Sequence, residues 1–388
     1  MNSMRQSLVF RPKLLLIGSI LIGISLLVLW VILPDRHLVY TVETGQRLEQ
    51  VVFSPDGQLL ATSADKGDIF LWNAADGTAR GRLSGHKGRS ALAFSPDGTL
   101  LVSASVDGTI RLWDAAHHTL RATLWTYPPP PGRAFIEHYA DGSSQPVQER
   151  FMSVAFSPDG QLIFAGGTGE RVLVFNAALG AFQRFVYVEK PPQVNLYSWI
   201  RSIAINRAGN VLLLQDSTQV QLFQLPSLQH IMNINRTTVP GLALNTGWAV
   251  FDTATPHLTI FYYAVGGLGR STVSTMHDVV STEGRLIKAA DPVPVDAHFR
   301  PPSTATSFAV RPDARMVAWG GGFEPDYAWG IFNWLMDTRI IVWRLDAAQP
   351  TFYRGHHEEV SSLVFSPDGQ LLASVSRDTT LRVWRVSE

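Results

Sequence analysis

The pentapeptide Phe-Ser-Pro-Asp-Gly occurs four times without change, at 53–57, 94–98, 156–160 and 365–369. Each copy closes a hairpin by its own chemistry. Ser54 suits the first position of a type I turn, Pro55 pre-sets φ at the second, and Asp56 suits the third. Gly57 supplies the positive φ that completes a G1 bulge. A turn repeated at long, similar intervals means a repeat architecture, in which each β unit buries its apolar face against the next. Phe53 and Phe94 lie 41 residues apart and Phe94 and Phe156 lie 62 apart, so the second interval holds an insertion.

A template emerges around the turn. The second unit shows it in full, with strands at 91–94, 100–104, 109–113 and 120–124 and an Asp107-Gly108 turn before the third. The first unit has strands at 59–63 and 69–72, the third at 162–166 and 172–175, and the last at 371–375 and 380–384. Degraded units are predicted at 203–205 with 211–214 and 220–223, at 242–244 with 248–251 and 258–262, and at 308–310 with 338–343.

Gly85-His86 and Gly355-His356 precede a first strand, while Trp72-Asn73, Trp113-Asp114, Trp343-Arg344 and Trp384-Arg385 end a third. On these residues the chain resembles the WD40-repeat family of β-propellers, whose blades are four antiparallel strands. The resemblance implies an all-β, seven-bladed propeller over 37–388, with blades starting near 51, 91, 152, 202, 241, 306 and 360. The last unit stops after its third strand, and a spare strand at 37–42 precedes the first. Pairing the two closes the ring and removes its open edges.

Residues 14–33 are twenty residues without a charge, long enough to span a bilayer core. Arg5, Arg11 and Lys13 flank the run on one side and Asp35 and Arg36 on the other. The positive flank predicts a short cytoplasmic tail at 1–13, a single transmembrane helix at 14–33 and an extracytoplasmic propeller. The rival is a cleaved signal peptide, against which the sequence before Pro34 lacks an Ala-x-Ala-like site.

His86, Ser103, Asp107 and Trp113 include the residue types of a hydrolytic triad, and His356, Ser374, Asp378 and Trp384 repeat them. Triads are not duplicated per repeat, and no Gly-x-Ser-x-Gly elbow accompanies either set. The family resemblance implies structural tetrads that tie the inter-blade loop to the second and third strands. In the first blade Gln46 stands at the histidine position and Asp65-Lys66 shifts the acid. In the sixth, Asp337 and Trp343 are kept and Asn333 takes the hydroxyl's place.

Lys plus Arg and Asp plus Glu both number 32, so no basic surplus points to nucleic acid. The chain has no cysteine, its histidines show no metal spacing, and no glycine-rich loop is placed to cradle phosphate. No catalytic residue, cofactor or metal is expected.

Long connections at 125–150, 186–200, 264–305 and 320–336 interrupt the rhythm. In a propeller they emerge on one face, and loops of such length are usually functional. Phe323, Tyr327, Trp329, Phe332 and Trp334 in one insertion, with Tyr127, Arg133 and Tyr139 in another, are the candidate partner-binding residues. The reading is a membrane-anchored, non-catalytic scaffold or accessory subunit that binds protein partners through this face. The alternative is a small-ligand sensor or enzyme using the mouth of the central channel.

Overall fold

Strands form where apolar pairs alternate between turn signals, and they end where Ser-Pro-Asp-Gly or Asp-Gly bends the chain. The computed structural model describes residues 35–138, 144–169, 171–188, 199–216, 219–235, 242–251, 257–266, 276–281, 286–288, 305–313, 315–321, 338–344, 347 and 350–387. Residues 14–33 lie outside them. Among the described residues, strands and turns account for all regular structure, and no helix is long and apolar enough to cross a membrane. The strands all belong to the unit His37–Glu388.

The described strands assemble into seven four-stranded antiparallel sheets and one two-stranded sheet. Strands are lettered a to d from the one that enters the tight turn. Sheet one is Leu48–Phe53, Leu59–Ala64, Ile69–Asn73 and Ala79–Leu83. Sheet two is Ser90–Phe94, Leu100–Ser105, Ile110–Asp114 and Thr119–Trp125. Sheet three is Phe151–Phe156, Leu162–Gly167, Arg171–Asn176 and Ala181–Tyr187. Sheet four is Ser202–Ile205, Val211–Gln215, Gln219–Gln224 and Gln229–Asn235. Sheet five is Leu242–Phe251, His257–Gly266, Met276–Ser281 and Leu286–Lys288. Sheet six is Ala305–Val310, Met316–Gly321, Ile340–Arg344 and Thr351–Tyr353.

Sheet seven takes Val360–Phe365, Leu371–Ser376 and Thr380–Arg385 from one end of the chain and Leu38–Glu43 from the other. Leu38–Glu43 runs antiparallel to strand c, from Leu38 opposite Trp384 to Glu43 opposite Thr380. The remaining pair, Phe135–His138 with Ser144–Val147, is a hairpin inside the connection from sheet two to sheet three.

The fifth sheet differs from the expected strand division. Residues 242–244 and 248–251 are not two strands. They form one ten-residue strand a with a register shift between Thr246 and Trp248, so Gly247 is the extra residue of a bulge. The segment expected as strand c is therefore strand b, and strands c and d come from the long connection that follows.

Among the described residues, apolar layers join sheets six, seven, one, two, three and four in succession. Leu112, Leu124, Phe151, Val154 and Leu173 pack sheet two on sheet three. Leu48, Val51, Val375 and Val383 pack sheet seven on sheet one. Strands b of sheets one, two, three, four and seven are buried on both faces, which is why Leu162–Gly167 is apolar or small throughout. Strands d are the most exposed, as in Thr119–Trp125.

Two kinds of contact set the spacing between sheets. Strand a carries a polar side chain that accepts from the backbone of the next sheet. Val51 N–H donates to Ser362 Oγ at 3.3 Å, Leu92 N–H to Gln50 Oε1 at 2.6 Å, and Ile203 N–H to Ser153 Oγ at 2.9 Å. At three of the four tight turns the glycine faces the proline of the preceding sheet: Gly57 faces Pro367, Gly98 faces Pro55, and Gly160 faces Pro96, while Gly369 faces Arg311. The turns thus set spacing between sheets as well as closing hairpins.

Candidate interaction surface

In sheets one, two, three and seven, the connection from the preceding strand d passes beside the turn between strands b and c. Side chains fasten the two together, and the chemistry of that tie changes from sheet to sheet. In sheet two, Trp113 Nε1–H donates to Ser103 Oγ at 2.7 Å, and His86 Nε2 lies 2.7 Å from the same oxygen. His86 Nδ1 faces Asp107 Oδ2 at 3.2 Å, and Lys87 N–H donates to that oxygen at 2.8 Å. Sheet seven repeats the set. Trp384 donates to Ser374 at 2.8 Å, and His356 lies 2.7 Å from Ser374 and 2.9 Å from Asp378. Thr109 and Thr380 extend both sets by donating to the aspartate. Sequence reasoning missed these threonines, although each follows its aspartate by two residues.

Burial alone pushes the Asp107 and Asp378 carboxyls up. Hydrogen bonds from the histidine, the threonine and a backbone N–H outweigh it, and both sit well below the usual carboxylate range. Burial holds His356 below its ordinary value despite Asp378 beside it, so the ring is neutral. Ser103 and Ser374 are fully buried and already hold an indole N–H, so neither hydroxyl is accessible to a substrate.

Sheet one uses a different set. Asp68, and not Asp65, is the acid: it accepts from Gln46 Nε2 at 2.8 Å, Arg82 Nε at 2.9 Å and Ser84 Oγ at 2.9 Å. Asp68 directly precedes strand c, where sheet two has Thr109, so the acid has moved two residues along the turn. Thr62 takes the serine's place and accepts from Trp72 Nε1 at 3.0 Å. In sheet six the hydroxyl position falls to Trp319, because Val317 pairs with Trp343 as Leu101 pairs with Trp113. Asn333 and Asp337 lie outside the described residues. Trp343 donates instead to Ala347 O at 3.0 Å, with the Trp319 ring edge-on at 6.2 Å. Sheets three and four have Phe175 and Phe223 for the indole, paired with Ile163 and Leu212, and apolar Ala165 and Leu214 at the hydroxyl position two residues on.

Sheet three replaces the tetrad with an ion pair. Arg171 opens strand c, and Glu149 lies in the connection from sheet two. Arg171 Nε donates to Glu149 Oε1 at 2.8 Å and Nη2 to Oε2 at 2.9 Å, with both side chains buried. Nη2 also donates to the carbonyl of Arg133 at 2.7 Å. The Arg171 guanidinium lies 4.0 Å from the Phe185 ring centroid, and the Arg133 guanidinium 4.4 Å from that of Phe182. Trp125 packs against Phe175, Phe182 and Phe185 beneath them. Gly169 leaves room for Glu149, since a Cβ there would stand 2.1 Å from Oε1.

These contacts clamp the insertion between sheets two and three to sheet three. Tyr127, Ile136, Tyr187 and Trp199 are between 42% and 66% exposed, and Tyr187 packs on Phe185 of the clamp. All four lie in, or at the ends of, the connections that join sheets two, three and four. Of the expected partner-binding residues, Tyr127 is exposed, and Arg133 is half-buried by its stacking. Tyr139, Phe323, Tyr327, Trp329, Phe332 and Trp334 lie outside the described residues. Tyr187 was not anticipated, because strand d gives no sign in the sequence of which ring faces out. Among the described residues no group of His, Asp and Glu is arranged to hold a metal ion.

Four stretches match the WD domain, G-beta repeat family: 37–73, 77–114, 140–176 and 348–385. The chain is also 30% identical over 110 residues to the serine-threonine kinase receptor-associated protein of Bos taurus. That similarity covers 28% of this chain and 27% of the relative.

Proposed function

The chain carries four WD40 repeats, and on that premise we propose that it is a non-catalytic scaffold that binds protein partners while tethered to a membrane. The observation that carries the reading is the clamped insertion between sheets two and three. It is held by a buried ion pair and exposes Tyr127 and Ile136, and the following connection exposes Tyr187 and Trp199 at its two ends. Exposed aromatic side chains on a rigid support are what protein interfaces use as anchors.

The proposed architecture is a seven-bladed propeller over 37–388, each four-stranded sheet one blade. The order of packing supports it: strand a of sheet six lies beside that of sheet seven, and so on through sheets one, two, three, four and five. The Leu38–Glu43 strand completing sheet seven fits a ring joined through its two chain ends. The uncharged run at 14–33 and its basic flank support a single transmembrane helix, with the tail at 1–13 cytoplasmic and the propeller outside.

The similar Bos taurus protein is by its name receptor-associated, which favours a protein partner here too. Two experiments test the reading. Protease added outside sealed vesicles is expected to cut the propeller, and cutting only from the cytoplasmic side would reverse the orientation. Full chain purified in mild detergent is expected to bring partner proteins with it, and a monomer without companions at native expression would contradict the scaffold.

A further inference from the structure

The two-stranded sheet in the insertion has an asymmetry that bears on how a partner is held. Its register pairs Phe135 with Val147, Ile136 with Pro146, Glu137 with Gln145 and His138 with Ser144. Pro146 has no N–H, so the ladder bonds run through the Phe135/Val147 and Glu137/Gln145 pairs. The N–H and C=O groups of Ile136 and His138 then point away from the hairpin. On the opposite edge Pro146 offers no donor, which blunts that edge as prolines do in natural sheets. Among the described residues no further strand lies beside either edge.

We propose that Phe135–His138 is a strand acceptor, and that an extended segment of a protein partner adds beside it as a third strand. The occupant's chemistry follows from what is offered. A row of outward backbone donors and acceptors is matched by another extended backbone. The exposed Ile136 on the strand, and the exposed Tyr127 in the same insertion, favour apolar side chains at alternate positions. The base of the hairpin is already ordered. Arg171 grips Glu149 just after the second strand and the carbonyl of Arg133 just before the first. A partner strand therefore meets an edge whose ordering cost is largely met by folding.

The proposal rests on the scaffold reading but has its own test. Amide hydrogen exchange is followed on the full chain in detergent, alone and with short peptides selected from a displayed random library. The Ile136 and His138 amides are expected to exchange quickly in the free protein and to be protected by bound peptide. Ile136→Pro removes one edge donor and is expected to weaken peptide binding about tenfold, the worth of one lost backbone hydrogen bond. Protection of Gln145 in that variant reports that the hairpin is intact. Pro146→Val adds a donor to the blunted edge, where excess peptide is expected to protect the new amide.

A library without binders overturns the strand acceptor, as do peptides that leave Ile136 and His138 exchanging freely or an absence of protection at the new amide. The scaffold reading fails separately, if no protein co-purifies with the full chain.

Discussion

Arg171 and Glu149 face each other through two parallel hydrogen bonds of 2.8 and 2.9 Å, with both side chains buried at the root of the insertion. Such a pair is costly to break from one side, because the surviving charge is left without a partner. Glu149→Ala is expected to lower stability by about 3–5 kcal/mol. Replacing both residues with apolar ones, Arg171→Met with Glu149→Leu, is expected to cost less than either single change. Denaturant unfolding of the three variants checks the order. A double variant as unstable as the worse single one would show that packing, not charge, holds the insertion.

The tetrads carry a smaller but separable contribution. Asp378→Ala leaves the His356 ring N–H and the His357 backbone N–H without their acceptor. The expected loss is about 1–3 kcal/mol. The same change at Asp107 is expected to act alike, since His86 and Lys87 face it in the same way. An unchanged melting temperature for both would remove the tetrads from the account of stability.

Much of the fold was legible because Phe-Ser-Pro-Asp-Gly marks its own position. In sheets one, two, three and seven it set the ends of strands a and b, and the aromatic after it located strand c. The fifth sheet misled because Gly247 looks like a turn between two short strands, and only the pairing with His257–Gly266 shows one bulged strand. The ties were partly legible. His86 and Asp107 follow a repeated pattern, but Glu149 and Arg171 come from two elements with no common motif and meet only in space. The shift of the acid from Asp65 to Asp68 depends on where strand c begins, which spacing alone did not fix.

Acid is expected to destabilise the fold in two stages. The His356 pKa is lowered in the folded state, so the unfolded chain takes up this proton first, and stability falls as pH drops below about 6.5. The Asp107 and Asp378 pKa values are also lowered in the fold. Their contribution is complete above the ordinary carboxylate value of about 3.9 and is lost as pH falls below it. Asp56, Asp97, Asp159 and Asp368, held low by their turn serines and backbone N–H groups, add to this second stage. Melting temperatures from pH 8 to 3 are expected to show a shallow fall and then a steep one. Replacing His356 is expected to remove part of the first.

Glycines in turns of different kinds are expected to differ in their tolerance of alanine. At Gly67, φ is +97° and a Cβ would stand 2.3 Å from the backbone oxygen of His86. At Gly57, φ is +72° and the nearest atom to a Cβ is 3.7 Å away, on Pro367. Gly57→Ala therefore meets only the backbone strain of about 1–2 kcal/mol. Gly67→Ala must also push apart the turn of sheet one and the connection to sheet two. Its loss of stability is expected to be clearly the larger, by thermal or denaturant unfolding.

The proposed function has partners held at the clamped insertion between sheets two and three. Its most direct measurement is quantitative mass spectrometry of proteins that co-purify with the full chain from its native membrane. The comparison is wild type against a variant with Tyr127, Ile136, Tyr187 and Trp199 all changed to serine. The account predicts that the variant stays folded, with the same melting temperature within a few degrees, and loses most of its partners. A folded variant that keeps the same partners in the same amounts would contradict it.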